Sequence, residues 1–279
     1  MRLGVITDIH LHPTPDPNRR YAWHNPYPMH KAWSMYEAAL TRLQSEGVEA
    51  IAILGDVTHV GDRPTQERVV ERAAKTGLPV WLVAGNHDAT ERARTLSDAV
   101  AAQGGAVVTM PSGAGAPNSA GLRLAGVTIG SVNRGDSAFA LEALPVTNWG
   151  DGPVLLLSHC ALVDVRERFA SNGLKHSANL DNHDEVVAGL RQRGAPTLIL
   201  SGHLHVRDEV AQGNALQLLF AALIEAPHEA AILEIEASPD NITVSRRNIG
   251  IEPYEVERAP ILSADATRWT WRENAWRQD

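Results

Sequence analysis

Short apolar runs recur along the first two-thirds of the chain, and segments with helical spacing separate them. Each run has the length of a buried strand. These runs cover residues 3–6, 50–54, 79–83, 154–157 and 198–200. Apolar residues at helical spacing predict helices over residues 33–46, 64–76, 90–103 and 181–193. This β-α-β alternation predicts a mostly parallel sheet with right-handed crossovers.

The middle and the end of the chain follow other patterns. Residues 110–120 are rich in Gly, Pro, Ser and Ala, which predicts a loop, and residues 122–124 and 127–132 are predicted to pair as a hairpin. Meander strands are predicted over residues 216–220, 230–235 and 242–245. We therefore expect one α/β domain with two packed sheets over residues 1–250.

The last part of the chain, residues 251–279, shows no clear period, although it carries Trp269, Trp271 and Trp276. Tryptophan is common both in cores and at the centres of subunit interfaces. Two interpretations stay open for this C-terminal extension. It packs on its own domain, or it forms a contact between subunits in a homo-oligomer.

Composition restricts the class of partner. The 279 residues carry a formal net charge of −8, and an acidic chain is a poor non-specific binder of duplex nucleic acid. Bound cations can nevertheless attract a small phosphorylated substrate. Cys160 is the single cysteine, so no internal disulfide can form. No run reaches the length of a membrane span and no signal region is visible, so we expect a cytoplasmic protein.

Each of the five apolar runs ends in polar residues that can bind metal. The residues are Asp8 with His10, Asp56, Asn86 with His87 and Asp88, His159, and His203 with His205. Because open α/β sheets place their sites beyond the carboxyl ends of the strands, these side chains should converge. Gly55, Gly85 and Gly202 precede three of the groups, where glycine permits a tight turn and a close backbone approach.

The donor atoms of this set indicate the kind of metal site. They are oxygen and nitrogen only, which suits manganese, iron or zinc and argues against a thiolate-bound structural zinc. The predicted ligands are Asp8, His10, Asp56, Asn86, His159, His203 and His205. Seven ligands exceed the need of one ion, so we predict two divalent or trivalent ions bridged by Asp56. Two such ions can activate water for attack on a phosphate ester.

The combined motifs resemble the calcineurin-like metallophosphoesterase family over residues 1 to about 205. The resemblance implies a four-layer αββα sandwich of two mixed sheets flanked by helices. It implies that one ion is held by Asp8, His10, Asp56 and His205, and the other by Asp56, Asn86, His159 and His203. His87 stands where the family has its catalytic histidine, near the leaving group.

The sequence departs from the family in one respect that concerns this histidine. Several relatives place an aspartate three residues after the bridging one, paired with the catalytic histidine, and here that position is His59. Asp62 and Asp88 are the candidates to replace it. A second Asn-His-Asp triplet, residues 182–184, follows no strand or glycine and opens a predicted helix, so we leave it out of the site.

A weaker resemblance concerns the substrate. Residues 180–185 and residues 55–61 are similar to segments of the class III cyclic nucleotide phosphodiesterases. This similarity favours hydrolysis of a nucleotide phosphodiester. The alternative is a phosphomonoesterase or a nucleotide pyrophosphatase. A nuclease or a non-catalytic scaffold is less favoured, because the chain is acidic and its ligand set is complete.

Aromatic residues cluster directly after the first metal motif. Residues 21–36 hold five of the fourteen aromatic residues, and Arg19 and Arg20 precede them. Tyr21, Trp23 and Tyr27 lie in an irregular, proline-marked part without an obvious core role. They either pack this loop against the domain or form a wall that stacks a base. In the second case Tyr21 and Trp23 bind the base and Arg19 or Arg20 binds phosphate.

Overall fold

The computed structural model describes residues 1–88, 152–174, 183–238, 241–256 and 260–279. Between residues 89 and 151 it describes residues 96, 99 and 100 and the backbone of three short strands. The helices are α1 (Ala32–Ser45), α2 (Arg63–Ala74), α3 (Arg166–Ser171) and α4 (His183–Arg193). The strands are β1 (Arg2–Ile6), β2 (Ala50–Ile53), β3 (Val80–Leu82), β4 (Val107–Thr109), β5 (Gly113–Ala114), β6 (Thr128–Val132), β7 (Val154–Ser158), β8 (Thr197–Ser201), β9 (Asp208–Gln212), β10 (Ala215–Leu219), β11 (Glu229–Ser238), β12 (Asn241–Gly250), β13 (Ala266–Arg272) and β14 (Ala275–Gln278).

The described strands form two mixed sheets. One has eight strands in the order β14-β13-β12-β11-β1-β2-β3-β4, and the other has six in the order β5-β6-β7-β8-β10-β9. Strands β1 to β4 run parallel, whereas β11 to β14 are antiparallel. The strands that carry the motifs are therefore parallel, as their β-α-β alternation predicts, and β11 and β12 pair antiparallel, as the predicted meander requires. Connections of two residues join β11 to β12 and β13 to β14, and such short connections favour antiparallel pairing.

Apolar cores separate four layers. Helices α1 and α2 pack on the outer face of the eight-stranded sheet, where Leu40 and Val69 meet Ile51. The inner faces of the two sheets pack on each other. Helix α4 covers the outer face of the six-stranded sheet, where Leu190 meets Ile199. This arrangement confirms the predicted αββα sandwich.

Burial explains why these strands could be predicted from apolar runs in the sequence. Strands β2, β3, β7 and β8 are buried along their full described length, so both faces are apolar and each reads as a continuous run. Helix α2 begins where the Asp62 carboxylate accepts a 3.0 Å hydrogen bond from Thr65 N. Pro64 stands in the first turn, where its missing N–H costs nothing.

Several elements were not predicted. Helix α3 and strands β4, β9, β13 and β14 have no counterpart in the sequence analysis, and β5 lies inside the predicted loop. The predicted strand over residues 122–124 and most of the predicted helix over residues 90–103 lie outside the described residues. No helix in the described part of the chain is long and apolar enough to cross a membrane.

The C-terminal residues continue the eight-stranded sheet. Strand β13 pairs with β12, and β14 pairs with β13. Trp271 and Trp276 are buried between the two sheets, and Trp269 Nε1 donates a 2.8 Å hydrogen bond to Glu209. The inward side chains of β13 alternate with arginine and threonine, and this short alternation was missed in the sequence.

Candidate dinuclear metal centre

The predicted ligands meet at one edge of the sandwich. Each follows a parallel strand at its carboxyl end: β1, β2 and β3 in the larger sheet and β7 and β8 in the smaller one. The two sheets thus contribute to one site. Backbone hydrogen bonds tie the segments together, since Asp8 N bonds to the Gly55 carbonyl at 3.1 Å and Gly202 N to the His159 carbonyl at 3.0 Å.

Five of the predicted ligands have left-handed backbone conformations. Their φ angles lie between 49 and 67°, at Asp8, His10, Asp56, His203 and His205. Such angles are uncommon for residues other than glycine, although aspartate and histidine tolerate them better than most. Each costs on the order of 1 to 3 kcal/mol, and they cluster at functional sites. The strain is therefore concentrated in the residues that form this site.

The glycines of the motifs permit close packing of these segments. Gly55 has φ +94°, and a Cβ there would lie 2.6 Å from His159 Nδ1. A Cβ on Gly202 would lie 2.7 Å from Asp8 Oδ2 and would also overlap the Thr7 hydroxyl. Any side chain at these positions would displace a predicted ligand.

Three groups of donor atoms form at this edge, and within each the donor atoms lie within 4.8 Å of one another. The first group comprises Asp8, His10 and His205, and the second comprises Asp56, His159 and His203. The third comprises His10, His59 and His87, of which only His10 is a predicted ligand. Asn86 joins the second group, since its Oδ1 lies 3.1 Å from His159 Nε2. The structure thus brings the predicted ligands together in two neighbouring groups.

Spacing within the groups fits metal coordination. His205 Nε2 lies 3.4 Å from Asp8 Oδ1. Two ligand atoms that are each about 2.1 Å from an ion, at an angle of roughly 90 to 110°, lie roughly 3.0 to 3.4 Å apart. Asp8 Oδ1 and His10 Nε2 are buried and have no hydrogen-bond partner among the described residues. Buried polar atoms without partners are costly, and a metal ion would satisfy both.

Asp56 lies between the two groups. Its Oδ2 is 3.5 Å from His10 Nε2 and 3.4 Å from His159 Nε2. Its Oδ1 accepts a 2.8 Å hydrogen bond from His87 N. Burial raises the pKa of Asp56, but His159 and His10 outweigh it and hold the pKa well below its usual range. This carboxylate is therefore ionised and adjacent to both groups.

Backbone and carboxylate partners fix the tautomers of two histidines. His159 Nδ1 lies 2.7 Å from the Leu54 carbonyl and His205 Nδ1 lies 2.7 Å from Glu225 Oε2, so each Nδ1 must carry the hydrogen. Each Nε2 is then left for a metal ion. Burial lowers the pKa of both imidazoles, but the facing carboxylates of Asp56 and Asp8 raise it to about 9 and about 10, so a metal ion would displace a proton from each Nε2.

The comparisons with known proteins identify the family. A family model described as calcineurin-like phosphoesterase matches residues 1–207. The chain belongs to the calcineurin-like phosphoesterase family. No curated protein matches the chain. Metallophosphoesterases of this family hydrolyse phosphoric esters, and the two groups of aspartate and histidine described above are consistent with that activity.

Solved structures share the fold of this phosphoesterase at low identity. A dimetal phosphatase from Danio rerio is 14% identical with a TM-score of 0.58, covering 90% of this chain and 96% of its own. The protein TT1561 of Thermus thermophilus is 11% identical with a TM-score of 0.53, covering 90% of this chain and 99% of its own. At these identities the likeness concerns the fold.

His87 lies beside both groups in this phosphoesterase. Its Nδ1 is 2.8 Å from the His59 carbonyl, so Nδ1 carries a hydrogen and Nε2 is left for proton transfer. The His59 ring stacks on the His87 ring with centroids 4.9 Å apart, and His59 Nδ1 lies 3.1 Å from His10 Nδ1. Burial, with His87 nearby, lowers the pKa of His59 to about 4.

Neither of the two aspartates considered as partners of His87 is the hydrogen-bond partner of its imidazole. Asp62 caps helix α2. Asp88 is buried and accepts hydrogen bonds from Thr58 N at 3.0 Å and Gly85 N at 2.9 Å, and burial with nearby Asp56 raises its pKa to about 6. Both expectations were wrong, because the partner of His87 is a main-chain carbonyl, which a sequence motif does not reveal.

The aromatic segment, residues 21–27, borders the site. Trp23 is half-buried, and its ring centroid lies 6.1 Å from that of His205 and 6.4 Å from that of His203. Tyr27 lies 5.5 Å from His10 by ring centroids, and its hydroxyl is 3.4 Å from His205 Nδ1. Tyr21 is buried and meets the His59 ring edge-on at 5.1 Å.

The expectation that these aromatic residues lack a core role was wrong for two of them. Tyr21 belongs to the core under α1 and Tyr27 packs against it. Arg19 and Arg20 are exposed, and Arg19 lies over the Tyr21 ring at 5.1 Å. Arg19 is also close enough to His59 to lower the pKa of that imidazole. Of the predicted substrate-binding residues, Trp23 and Arg19 therefore have the more suitable positions.

Sequence reasoning missed Glu225 and left His183 correctly outside the site. Glu225 is fully buried behind His205, and it is the one charge in the apolar run of residues 218–226, a signal that was available. His183 begins helix α4 and lies 3.4 Å from the Asp164 carboxylate. His183 is thus engaged at the start of the helix that covers the smaller sheet.

Proposed function

We propose that this metallophosphoesterase hydrolyses a phosphodiester of a nucleotide with two bound metal ions. The observation that carries the proposal is the position of Asp56 Oδ2, 3.5 Å from His10 and 3.4 Å from His159. One carboxylate is thereby in reach of a ligand of each group, as a bridging ligand must be. The neighbour from Danio rerio, described as a dimetal phosphatase, supports the two-metal part of the proposal.

Each ion has a set of protein ligands. Asp8, His10, Asp56 and His205 would hold the first, and Asp56, Asn86, His159 and His203 the second. Oxygen and nitrogen donors suit Mn²⁺ or iron, with Zn²⁺ as an alternative. When bound, the ions supply Lewis acidity toward the phosphate and lower the pKa of water. The protein supplies the orientation, because a second partner holds several of these ligands, such as the Leu54 carbonyl for His159 and Glu225 for His205.

His87 is the proposed general acid. Its Nδ1 is committed to the His59 carbonyl, and the stacked His59 ring limits rotation about the side chain. The remaining nitrogen, Nε2, can give a proton to the oxygen that leaves phosphorus. Such assistance is typically worth about 10² to 10⁴-fold in rate.

The aromatic segment supports a substrate with a ring beside the phosphate. The half-buried Trp23 ring borders ligands of both groups, and a nucleotide base can stack on such a surface. Exposed Arg19 lies on the same side, over Tyr21, and can meet a phosphate oxygen. A nucleotide ester presents both features at once, whereas a simple alkyl phosphate presents only the phosphate.

A substrate screen tests the proposal. Manganese-loaded protein would be assayed against cyclic nucleotides, nucleotide diphosphates, phosphomonoesters and single-stranded DNA, with kcat/KM compared across the classes. We expect the highest kcat/KM for a nucleotide phosphodiester. Turnover of monoesters alone would indicate a phosphomonoesterase, and preference for diphosphates a pyrophosphatase. Bound metal without turnover of any ester would indicate a scaffold.

A further inference from the structure

A buried carboxylate lies behind one metal-binding histidine and also contacts the aromatic segment. Glu225 is fully buried, and its Oε2 lies 2.7 Å from His205 Nδ1. Its Oε1 accepts a hydrogen bond from the backbone N–H of Asn25. One carboxylate therefore serves two parts of the site, with one oxygen toward each.

The main chain around Glu225 is fixed to the first metal motif. Leu223 N donates to the Thr7 carbonyl at 3.0 Å, and Ile224 N donates to the Asp8 carbonyl at 3.1 Å. His228 N then closes a turn onto the Glu225 carbonyl at 2.8 Å. These bonds fix the position of Glu225 relative to Asp8, whose carboxylate lies next to His205 Nε2.

The contact between Glu225 and His205 determines which ring nitrogen of His205 can bind metal. An ionised carboxylate only accepts hydrogen bonds, so the hydrogen must be on Nδ1. Nε2, which lies 3.4 Å from Asp8 Oδ1, then directs its lone pair into the first group. Residues that hold the second nitrogen of a metal-bound histidine typically contribute about 10- to 100-fold in metal affinity.

The second contact concerns the segment that carries Trp23 and Tyr27. The segment has a further contact besides the bond of Asn25 to Glu225. His24 Nε2 lies 3.0 Å from the carbonyl of Leu204, the residue between His203 and His205. Within the segment, Tyr27 N donates to the Tyr21 carbonyl at 2.8 Å. The segment is thus closed on itself, and Glu225 ties it to the metal-binding motif.

We propose that Glu225 is a positioning residue that fixes His205 for the first metal ion and ties residues 21–27 to the same point. The proposal rests on the proposed two-metal function. It predicts that metal affinity and the order of the aromatic segment depend on the same carboxylate. A carboxylate with a merely structural role would affect neither metal affinity nor this segment selectively.

The substitution Glu225→Gln separates these roles. Glutamine keeps the size of the side chain but replaces one accepting oxygen with an NH2 donor, so its two ends cannot accept from both His205 and Asn25. Calorimetric titration of metal-free protein with Mn²⁺ should show one of two ions bound about 10- to 100-fold more weakly. Excess Mn²⁺ should restore most of kcat. Hydrogen exchange of the amides of residues 21–27 should be faster than in the wild type.

A matched control is Glu252→Gln, which removes a carboxylate paired with Lys31 at 2.5 Å. This variant should bind two ions with wild-type affinity. If Glu225→Gln also binds two ions with wild-type affinity and unchanged exchange in residues 21–27, the proposal is wrong, even where the wild type hydrolyses phosphodiesters. Weaker metal binding in a protein without any hydrolytic activity would support the role of Glu225 and contradict the proposed function.

A measurement on the wild type covers the case in which the variant does not fold. Nitrogen NMR of the histidine rings in zinc-loaded protein reports which ring nitrogen of His205 is protonated. We expect a hydrogen on Nδ1 and metal on Nε2. Metal on Nδ1 would overturn the proposal without any substitution.

Discussion

The metal-binding edge and the aromatic segment face the same space but are held in different ways. Each ligand follows a buried strand, and most have a second partner, such as Leu54 for His159. Residues 21–27 follow no strand and are held by a few hydrogen bonds, including that of Asn25 to Glu225, and by the packing of Tyr21 and Tyr27 on the core under α1. The rigid edge suits chemistry that needs constant geometry, and the loop suits recognition of a particular substrate. Substitutions at the edge should therefore affect all substrates, and those in the segment should affect them selectively.

The largest effect is expected for Asp56→Ala. The substitution removes the oxygen between the two groups and the acceptor of the His87 N–H. We expect kcat/KM to fall by more than about 10³-fold for every substrate, because the ions supply much of the acceleration. Asp164→Ala, at a surface carboxylate paired with Arg166, is the control and should retain activity. A loss limited to one substrate class would contradict the proposed bridge.

His87→Ala should lower activity by about 10² to 10⁴-fold for a poor leaving group. An alkyl ester needs a proton on its leaving oxygen, whereas a nitrophenyl ester hardly does. The ratio of kcat/KM values for the two esters, in wild type and variant, measures the difference. Equal losses on both esters would mean that His87 only orients phosphate or supports Asp56.

Gly202→Ala tests how tightly the metal-binding edge is packed around Thr7 and Asp8. The added Cβ would overlap Thr7 and lie 2.7 Å from Asp8 Oδ2. We expect a loss of about 1 to 3 kcal/mol in the free energy of unfolding, measured by denaturant titration. Gly250→Ala is the control, since its Cβ would meet nothing within 4 Å. Equal stability of the two variants would show that the edge can relax.

The smallest effect is expected for Trp23→Ala in the aromatic segment. Loss of a stacked ring should weaken transition-state binding of a nucleotide substrate by roughly 1 to 3 kcal/mol. A nitrophenyl phosphodiester should lose less, and the kcat/KM of both substrates is the measurement. Parallel losses, or no change, would show that residues 21–27 do not read the nucleotide.

The same contrast determines what the sequence could predict. The seven predicted ligands could be picked out because each follows an apolar run, and these runs form the parallel strands that end at the site. Glu225 and the His59 carbonyl were not recognisable as partners. Glu225 lies 20 residues from His205 and 200 from Asn25, and only the folded chain joins them. Strands β13 and β14 were missed for a similar reason, since their two buried tryptophans fit between sheets that the sequence alone did not place.

Metal stoichiometry tests the central claim most directly. Metal-free wild-type protein and Asp56→Ala would be loaded with Mn²⁺, passed over a desalting column and analysed for metal per chain. The account predicts two ions per chain in the wild type and fewer than two in Asp56→Ala. One ion in the wild type, or two retained by the variant, would contradict a dinuclear centre bridged by Asp56.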